Sequence, residues 1–167
     1  DIGAGTGKYS LSLDKEGYEV TAVELVKRNI QIINKKNPHL KTILGNALDL
    51  SMIKDNTYDV VLLFGPMYHL KKREDQIKAL AETKRVTKKE GIIFVSYCMN
   101  DYAVITHGFI EGNIQENIQN QQINKNFKIL ENGNPLYDYV RIEDINEINK
   151  ITKLKRIQIV SSDGMTN

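Results

Sequence analysis

Three glycines at alternate positions, Gly3, Gly5 and Gly7, constrain the fold of this 167-residue chain more than any other feature. Glycine adopts positive φ angles at little cost and lets the backbone approach a ligand closely. The leucine spacing of the next residues, Lys8–Lys15, predicts a short helix. Because the first N–H groups of a helix lack partners inside it, this strand-to-helix turn is a place where a polar ligand can bind.

Strand and helix patterns alternate along the first 100 residues. The predicted strands are residues 18–23, 40–44, 58–64 and 91–97, and the predicted helices are residues 27–36 and 75–86. The last two strands are near-continuous apolar runs, which are typical of strands buried on both faces. The alternation predicts an α/β fold with a doubly wound, mostly parallel sheet.

The composition changes after Asn100. Residues 101–126 are polar and rich in Asn and Gln, and we expect them to form a helical cap insertion on the cofactor-binding core of residues 1–100. Residues 127–167 are predicted to continue the same α/β domain, with a helix at 142–151 and a last strand at 156–160. A single domain overall is therefore expected.

The charge and cysteine content exclude several classes of protein. The 23 basic and 21 acidic residues give a net charge of +2, so no broad field favours a nucleic-acid partner. The single cysteine, Cys98, excludes an intrachain disulfide, and no metal site is predicted. The sequence has neither an apolar run of about 18 residues nor a signal peptide, so we expect a cytoplasmic protein without a membrane partner.

The spacing of the glycines separates two kinds of nucleotide-binding turn. A dinucleotide-binding turn has the pattern G-x-G-x-x-G, whose third glycine would fall at position 8, where this chain has Lys8. The run Asp1-Ile2-Gly3-Ala4-Gly5-Thr6-Gly7 instead resembles motif I of the class I S-adenosylmethionine-dependent methyltransferases. The resemblance implies a Rossmann-like fold, S-adenosylmethionine as cofactor, and cofactor contacts from Asp1, Gly3, Ala4, Gly5 and Gly7.

A glutamate at the end of the next strand adds to this resemblance. Glu24 lies about 17 residues after Gly7, near the separation at which an acidic residue binds both ribose hydroxyls of a nucleotide. In the resembled family this is the motif II position, and Leu25 beside it is expected to contact the cofactor. The alternative is a solvated glutamate at the start of the following helix, where negative charge is also favourable.

The residues after the next strand are candidates for binding adenine. The resembled family often has Gly-Asp-Ala here, whereas this chain has Gly45-Asn46-Ala47. Asn46 can still accept a hydrogen bond from an amino group through its carbonyl oxygen. Ala47 and Leu48 are expected to contact the cofactor, and Asp49 is an alternative polar partner. A loop without a ligand is the other interpretation.

The segment after the strand at 58–64 is the motif IV region of the resembled family. Phe64-Gly65-Pro66-Met67-Tyr68-His69 lacks the Asn-Pro-Pro-Tyr pattern typical of enzymes that methylate planar nitrogens. It resembles instead the Gly-Pro-Leu-Tyr-His-Leu signature of a small-molecule subgroup. Phe64 and Gly65 are expected to contact the cofactor, Tyr68 to pack on it or shape the acceptor pocket, and His69 to act as general base. The alternative for His69 is packing beside Tyr68 or capping the next helix.

Taken together, the resemblance implies in-line transfer of a methyl group to an oxygen or nitrogen nucleophile of a small molecule, with S-adenosylhomocysteine as product. An NAD(P)-dependent oxidoreductase and a non-catalytic cofactor-binding or partner-binding domain are the alternatives. The sequence indicates no oligomeric state. Because only Asp1 and Ile2 remain of the strand that leads into motif I, we expect the natural chain to begin before Asp1 and to end after Asn167.

Overall fold

A computed structural model describes residues 1–134 and 136–161, which form two compact units that meet between Ser96 and Tyr97 in the sequence. The first unit alternates strands and helices, as predicted. Its elements are α1 (Lys8–Lys15), β1 (Thr21–Glu24), α2 (Lys27–Lys36), β2 (Lys41–Leu44), β3 (Tyr58–Leu63), a 3-10 helix (Pro66–Tyr68), α3 (Arg73–Val86) and β4 (Thr87–Val95).

The strands of the first unit pair in parallel on either side of the residues that lead into the glycine turn. β1 pairs with β2, and β3 pairs with β4. Ile2 forms a parallel bridge with Val23 of β1 and donates its N–H to the Leu62 carbonyl of β3 at 2.8 Å. The chain therefore winds outward in both directions from Ile2, and the glycine turn leaves the sheet at this switch point, where open α/β sheets bind ligands. The doubly wound α/β fold is confirmed.

Helix α2 packs on the glycine turn and contributes to the core of the first unit. Ile33 of α2 is buried in one cluster with Ala4, Ala22 and Leu40. The predicted bounds of α1 and α2 are confirmed. Asn37 follows α2 in an extended conformation, which is the conformation that the residue before a proline favours.

The prediction that β3 and β4 are buried on both faces is wrong. Val61 and Leu63 are buried, but Val60, Ile92 and Phe94 are between 43% and 50% exposed. Helix α3 packs against both strands, and a single helix covers only one face of a strand pair. A run of apolar residues therefore did not distinguish a strand covered on one face from a strand covered on both.

Strand β4 also begins earlier than predicted. The pairing with β3 passes from Tyr58 opposite Thr87 to Val60 opposite Ile92, so the predicted turn at residues 88–91 is a bulge within β4. Lys88 at this bulge forms an ion pair with Asp59 at 2.8 Å. An extra stretch on one strand leaves the pairing on either side intact, which is how a bulge differs from a turn that ends a strand.

The second unit contains short elements. They are β5 (Cys98–Met99), α4 (Asn100–Ala103), a π-helix (Val104–Ile110), α5 (Ile114–Gln119), a 3-10 helix (Glu131–Gly133), β6 (Tyr139–Val140) and α6 (Ile142–Thr152). β5 and β6 pair in parallel. Asp144 of α6 accepts a hydrogen bond from the Arg141 N–H at 2.9 Å, which caps the start of that helix.

Asn100 ties the second unit together. Its side chain is fully buried, its amide donates to the Phe127 carbonyl and to Asp101 at 2.9 Å each, and its oxygen accepts from the Ile129 N–H at 2.8 Å. The predicted strand at 156–160 is wrong, because Ile157, Ile159 and Val160 are 59–81% exposed and lie in no strand. An alternating pattern becomes a strand only where a partner strand pairs with it.

The assignment of residues 127–167 to the same domain as the core stays a prediction. Residues 162–167 and Pro135 of that range lie outside the described residues.

Candidate cofactor site

The glycine turn has the backbone conformation that its sequence predicts. Gly3, Gly5 and Gly7 have φ angles of 73°, 56° and 85°, in the region that side chains disfavour. A Cβ at Gly3 would lie 2.7 Å from the Cδ of Pro66, so the turn is packed against the segment that follows β3. A Cβ at Gly5 would meet no heavy atom within 4 Å, so the turn presents open space at this residue.

Glu24 connects the glycine turn to the start of α2. It is only 6% exposed, at the carboxyl end of β1. Its Oε2 accepts from the Gly5 N–H at 2.8 Å, and its Oε1 accepts from the Val26 N–H at 2.9 Å and from the Asn29 side-chain amide at 3.3 Å. The alternative of a solvated glutamate is wrong, because burial and these three donors hold the carboxylate in place.

Asp1 and Ala4 fix the glycine turn from its other side. The Asp1 carboxylate accepts from the Ser10 hydroxyl at 2.6 Å, which links the turn to α1. The Ala4 side chain is buried in the core, so only its backbone is available to a ligand. The ammonium group of Lys36 donates to the Thr6 carbonyl at 3.1 Å, which attaches the turn to the end of α2.

The loop after β2 begins beside Glu24. The Gly45 N–H donates to the backbone carbonyl of Glu24 at 3.0 Å. Asn46 is exposed, and its side-chain oxygen accepts from the Leu48 N–H at 3.0 Å in a local turn. Asp49 closes the loop by accepting from the Ser51 N–H, and this hydrogen bond lowers the pKa of the Asp49 carboxyl. The loop thus has a fixed shape of its own.

Apolar side chains border the same loop. Leu25, directly after β1, is 64% exposed, and Met52 is 51% exposed. A Cβ at Gly45 would lie 3.4 Å from the Met52 methyl carbon, so Met52 lies close to the start of the loop. Exposed apolar groups near a buried carboxylate suit a ligand that has both a flat apolar part and hydroxyl groups. Sequence reasoning missed Met52, since its position in the chain gives no motif.

An arginine fixes the residues that follow this loop. The Arg85 guanidinium of α3 donates to the carbonyls of Leu50 and Ile53 at 2.8 and 2.9 Å, and pairs with Glu82 and Asp55. Glu82 also accepts from the Leu50 N–H at 2.8 Å. The hydrogen bonds from Arg85 lower the pKa of the Glu82 carboxyl, and the two carboxylates raise the pKa of Arg85. Arg85 thus connects the end of α3 to the residues that follow the loop.

The segment after β3 lies against the glycine turn and carries the predicted catalytic residues. A Cβ at Gly65 would lie 3.2 Å from the Gly3 carbonyl oxygen, and the Phe64 ring packs edge-on against Tyr9 at 5.0 Å. The rings of Tyr68 and His69 lie 4.8 Å apart, as the packing alternative for His69 predicted. His69 is exposed, and its backbone N–H donates to Pro66 at 3.0 Å, which closes the 3-10 helix. Its role as a base stays a prediction.

Residues 1–95, more than half of the chain, match the family model described as a methyltransferase domain. The chain belongs to this family. The cofactor of this methyltransferase domain is S-adenosylmethionine, and its fold is that of the class I enzymes. Membership favours the methyl donor over the dinucleotide that a glycine turn also allows. The residues fit the donor, because a glycine turn open at Gly5 adjoins a buried carboxylate at Glu24 and an exposed apolar side chain at Leu25.

Similar proteins include methyltransferases of several kinds. The Bacillus subtilis protein YqeM, assigned as a methyltransferase, is 31% identical over 96 residues, which are 56% of this chain and 39% of that protein. A glycine/sarcosine N-methyltransferase of Aphanothece halophytica is 27% identical over 114 residues, which are 65% of this chain and 43% of that enzyme. The chain thus spans about two fifths of the length of the curated relatives it matches.

A solved structure shares the fold at low sequence identity. An S-adenosylmethionine-dependent methyltransferase of Methanosarcina mazei superposes with a TM-score of 0.68 at 15% identity, covering 91% of this chain and 76% of that protein. Within the described residues 1–134 and 136–161, no helix is both long and apolar enough to cross a membrane. The same described residues contain no group of three or more His, Cys, Asp or Glu side chains arranged to hold a metal ion.

Proposed function

We propose that this chain is the cofactor-binding part of an enzyme that transfers a methyl group from S-adenosylmethionine to a nitrogen or oxygen atom of a small molecule. The observation that carries the proposal is the buried Glu24 carboxylate, hydrogen-bonded to Gly5 of a glycine turn that is open at that residue. A buried carboxylate with remaining acceptor capacity suits the two hydroxyl groups of a ribose.

The remaining predicted residues divide the cofactor among them. The backbone of Gly3, Gly5 and Gly7 would contact the part of the cofactor nearest the turn. Asp1 would contact the same part of the cofactor from the side of the turn that faces α1. Leu25, Ala47 and Leu48 would contact the adenine ring, and Asn46 would accept from its amino group. The Asn46 oxygen already accepts from the Leu48 N–H, but a carbonyl oxygen has two lone pairs.

Bound S-adenosylmethionine supplies a methyl group on a positively charged sulfur, from which it leaves as the acceptor attacks and the bonding electron pair returns to sulfur. The task of the chain is then to bind, orient and exclude water, and positioning of this kind lowers a barrier by about 7–11 kcal/mol. Phe64 and Gly65 would border the reacting groups, with Tyr68 shaping the acceptor side. A protonated acceptor would pass its proton to His69 or to water, so the base is needed only for such acceptors.

An amine is the acceptor class to test first. The motif IV segment resembles that of a small-molecule subgroup, and one of the similar enzymes is named for methylating glycine and sarcosine. Methyltransferases share one fold across many acceptors, so the acceptor depends on residues outside the cofactor turn. Assignment of that role to residues 101–126, and the cytoplasmic location, stay predictions.

Calorimetry with S-adenosylhomocysteine tests the proposal directly. We expect binding in the micromolar range, no binding of NADH under the same conditions, and strong weakening in a Glu24→Ala variant. A radiolabelled methyl-transfer screen on small amines and alcohols then tests activity. NADH binding without S-adenosylhomocysteine binding would favour the oxidoreductase, and tight binding without transfer to any acceptor would favour a non-catalytic domain.

A further inference from the structure

The buried carboxylate of Glu24 depends on a neighbour that belongs to no recognised motif. Asn29 lies in the first turn of α2, and its side-chain amide donates to Glu24 Oε1 at 3.3 Å. If the Asn29 amide were flipped, its oxygen would face the carboxylate, so the charge of Glu24 fixes the nitrogen as the contacting atom. Asn29 therefore acts here as a hydrogen-bond donor to Glu24, the residue that is proposed to bind the ribose.

The position of Asn29 in α2 makes this donation unusual. A polar residue three positions after the N-cap commonly turns back to accept from the N-cap N–H. In this chain Glu24 Oε1 accepts the N-cap N–H of Val26 at 2.9 Å instead, and the N-cap Val26 has no side chain that can cap the helix. The Asn29 side chain is thereby directed to the carboxylate and not to the helix backbone.

The three donors to Glu24 differ in their freedom to move. The N–H groups of Gly5 and Val26 are backbone donors, fixed by the glycine turn and by the start of α2. The Asn29 amide is on a side chain and makes the longest of the three contacts. A carboxylate offers about four acceptor sites, so these three donors leave capacity for a ligand. Asn29 is thus the one of these three donors that a side-chain substitution can remove.

We propose that Asn29 is a positioning residue for ribose recognition: its amide donates to Glu24 Oε1 and holds the carboxylate in the orientation that accepts the ribose hydroxyls, both before and after the cofactor binds. The proposal rests on the proposed function, since it assumes that Glu24 binds the ribose. It identifies Asn29 as a determinant of cofactor affinity that acts through Glu24.

Calorimetry on the full chain tests this role with two ligands. The ligands are S-adenosylhomocysteine and its analogue that lacks both ribose hydroxyls. We expect Asn29→Ala to weaken binding of S-adenosylhomocysteine by roughly three- to tenfold, the size of one weak hydrogen bond to a charged group, and to leave binding of the analogue unchanged. Asn29→Asp should weaken it further, because a second negative charge would face Glu24. Asn29→Gln, which keeps an amide donor, should recover part of the loss.

Asn34→Ala is the matched control. Asn34 is on the same helix, is exposed, and accepts from the Thr42 hydroxyl at 3.0 Å, with no contact to Glu24. An Asn29→Ala protein that binds like the Asn34→Ala control overturns the proposal. So does an equal loss for both ligands, which would show a merely structural role. If the unaltered chain binds neither ligand, the proposed function itself fails, and melting temperatures separate any of these results from unfolding.

Discussion

Two buried polar side chains, Glu24 in the first unit and Asn100 in the second, each make three hydrogen bonds but differ in what those bonds leave available. Asn100 is fully buried, and its two amide protons and its oxygen all bind groups of its own unit. Glu24 receives three donors on a group with about four acceptor sites. The donor capacity of Asn100 is used up, whereas Glu24 keeps capacity for a ligand.

The surroundings of the two side chains differ in the same sense. Glu24 accepts a hydrogen bond from the N–H of Gly5, and a Cβ added at Gly5 would have no heavy atom within 4 Å. Asn100 binds the backbone of Phe127 and Ile129, which it joins to the start of α4. Burial and hydrogen bonding alone therefore do not identify a site. A buried group that can accept further hydrogen bonds and lies next to open space does identify one. Variants of both regions test this distinction, from the largest expected effect to the smallest.

Asn100→Ala should destabilise the protein most. The change removes the acceptor for the Ile129 N–H and the donor to the Phe127 carbonyl, both in part-buried hydrogen bonds, and each group left unsatisfied costs about 1–3 kcal/mol. We expect the free energy of unfolding in urea to fall by about 2–4 kcal/mol. Faster hydrogen exchange at the Ile129 amide would locate the effect, and an unchanged unfolding midpoint would contradict the structural role of Asn100.

Glu24→Gln should affect ligand binding more than stability. Gln keeps the size of the side chain but loses the charge, so roughly 10- to 100-fold of S-adenosylhomocysteine affinity should be lost, as for hydrogen bonds to a charged group. Glu19→Gln, at an exposed position outside the site, is the control. Equal affinity of the two variants would show that the ligand donates no hydrogen bond to the Glu24 carboxylate.

Gly3→Ala tests whether the glycine turn must pack against the segment after β3. Its φ of 73° disfavours a side chain, and its Cβ would lie 2.7 Å from Pro66. Gly17→Ala is the matched control, because Gly17 has φ of 91° but no heavy atom within 4 Å of a Cβ. Thermal unfolding should show a loss of about 1–3 kcal/mol for Gly3→Ala and a smaller loss for the control. Equal losses would mean that the Pro66 contact has no energetic weight.

Arg85→Lys should have the smallest effect, about 1 kcal/mol, because lysine cannot reproduce the forked hydrogen bonds to Glu82 and to the loop carbonyls. The lowered pKa of Glu82 means that the unfolded chain binds protons more readily at this group. Its stabilising contribution is therefore present above the ordinary pKa of 4.5 and is lost as pH falls through the lower folded-state pKa. Urea unfolding between pH 3 and 6, roughly spanning that window, should show a weaker acid dependence in the variant.

Local signals in the sequence predicted the first unit well. The bounds of α1 and α2 were correct because both helices end at residues with clear backbone preferences, Gly17 after α1 and Asn37-Pro38 after α2. The glycine turn and Glu24 were predicted from their spacing and from the resemblance to methyltransferase motifs, and the structure joins them by a 2.8 Å hydrogen bond. Motifs of this kind can be recognised in a sequence because each position requires a particular residue type, either for its backbone conformation or for its charge.

Features that depend on distant partners could not be predicted. The bulge in β4 depends on pairing with β3, and the exposure of Phe94 depends on which face α3 covers. The contacts of Arg85 could not be predicted because its loop partners, Leu50 and Ile53, lie more than 30 positions earlier in the chain. Nothing in the sequence distinguished Asn29, since its proposed role depends on the orientation of the Glu24 side chain.

Glu24 holds its surroundings through peptide groups, at Gly5 and at Val26. Every standard amino acid except proline provides a peptide N–H. A substitution at position 26 should therefore leave the hydrogen bond from its N–H to the carboxylate in place, unless the new residue is proline. A saturation library at this position, screened for S-adenosylhomocysteine binding, should lose most affinity in the proline variant.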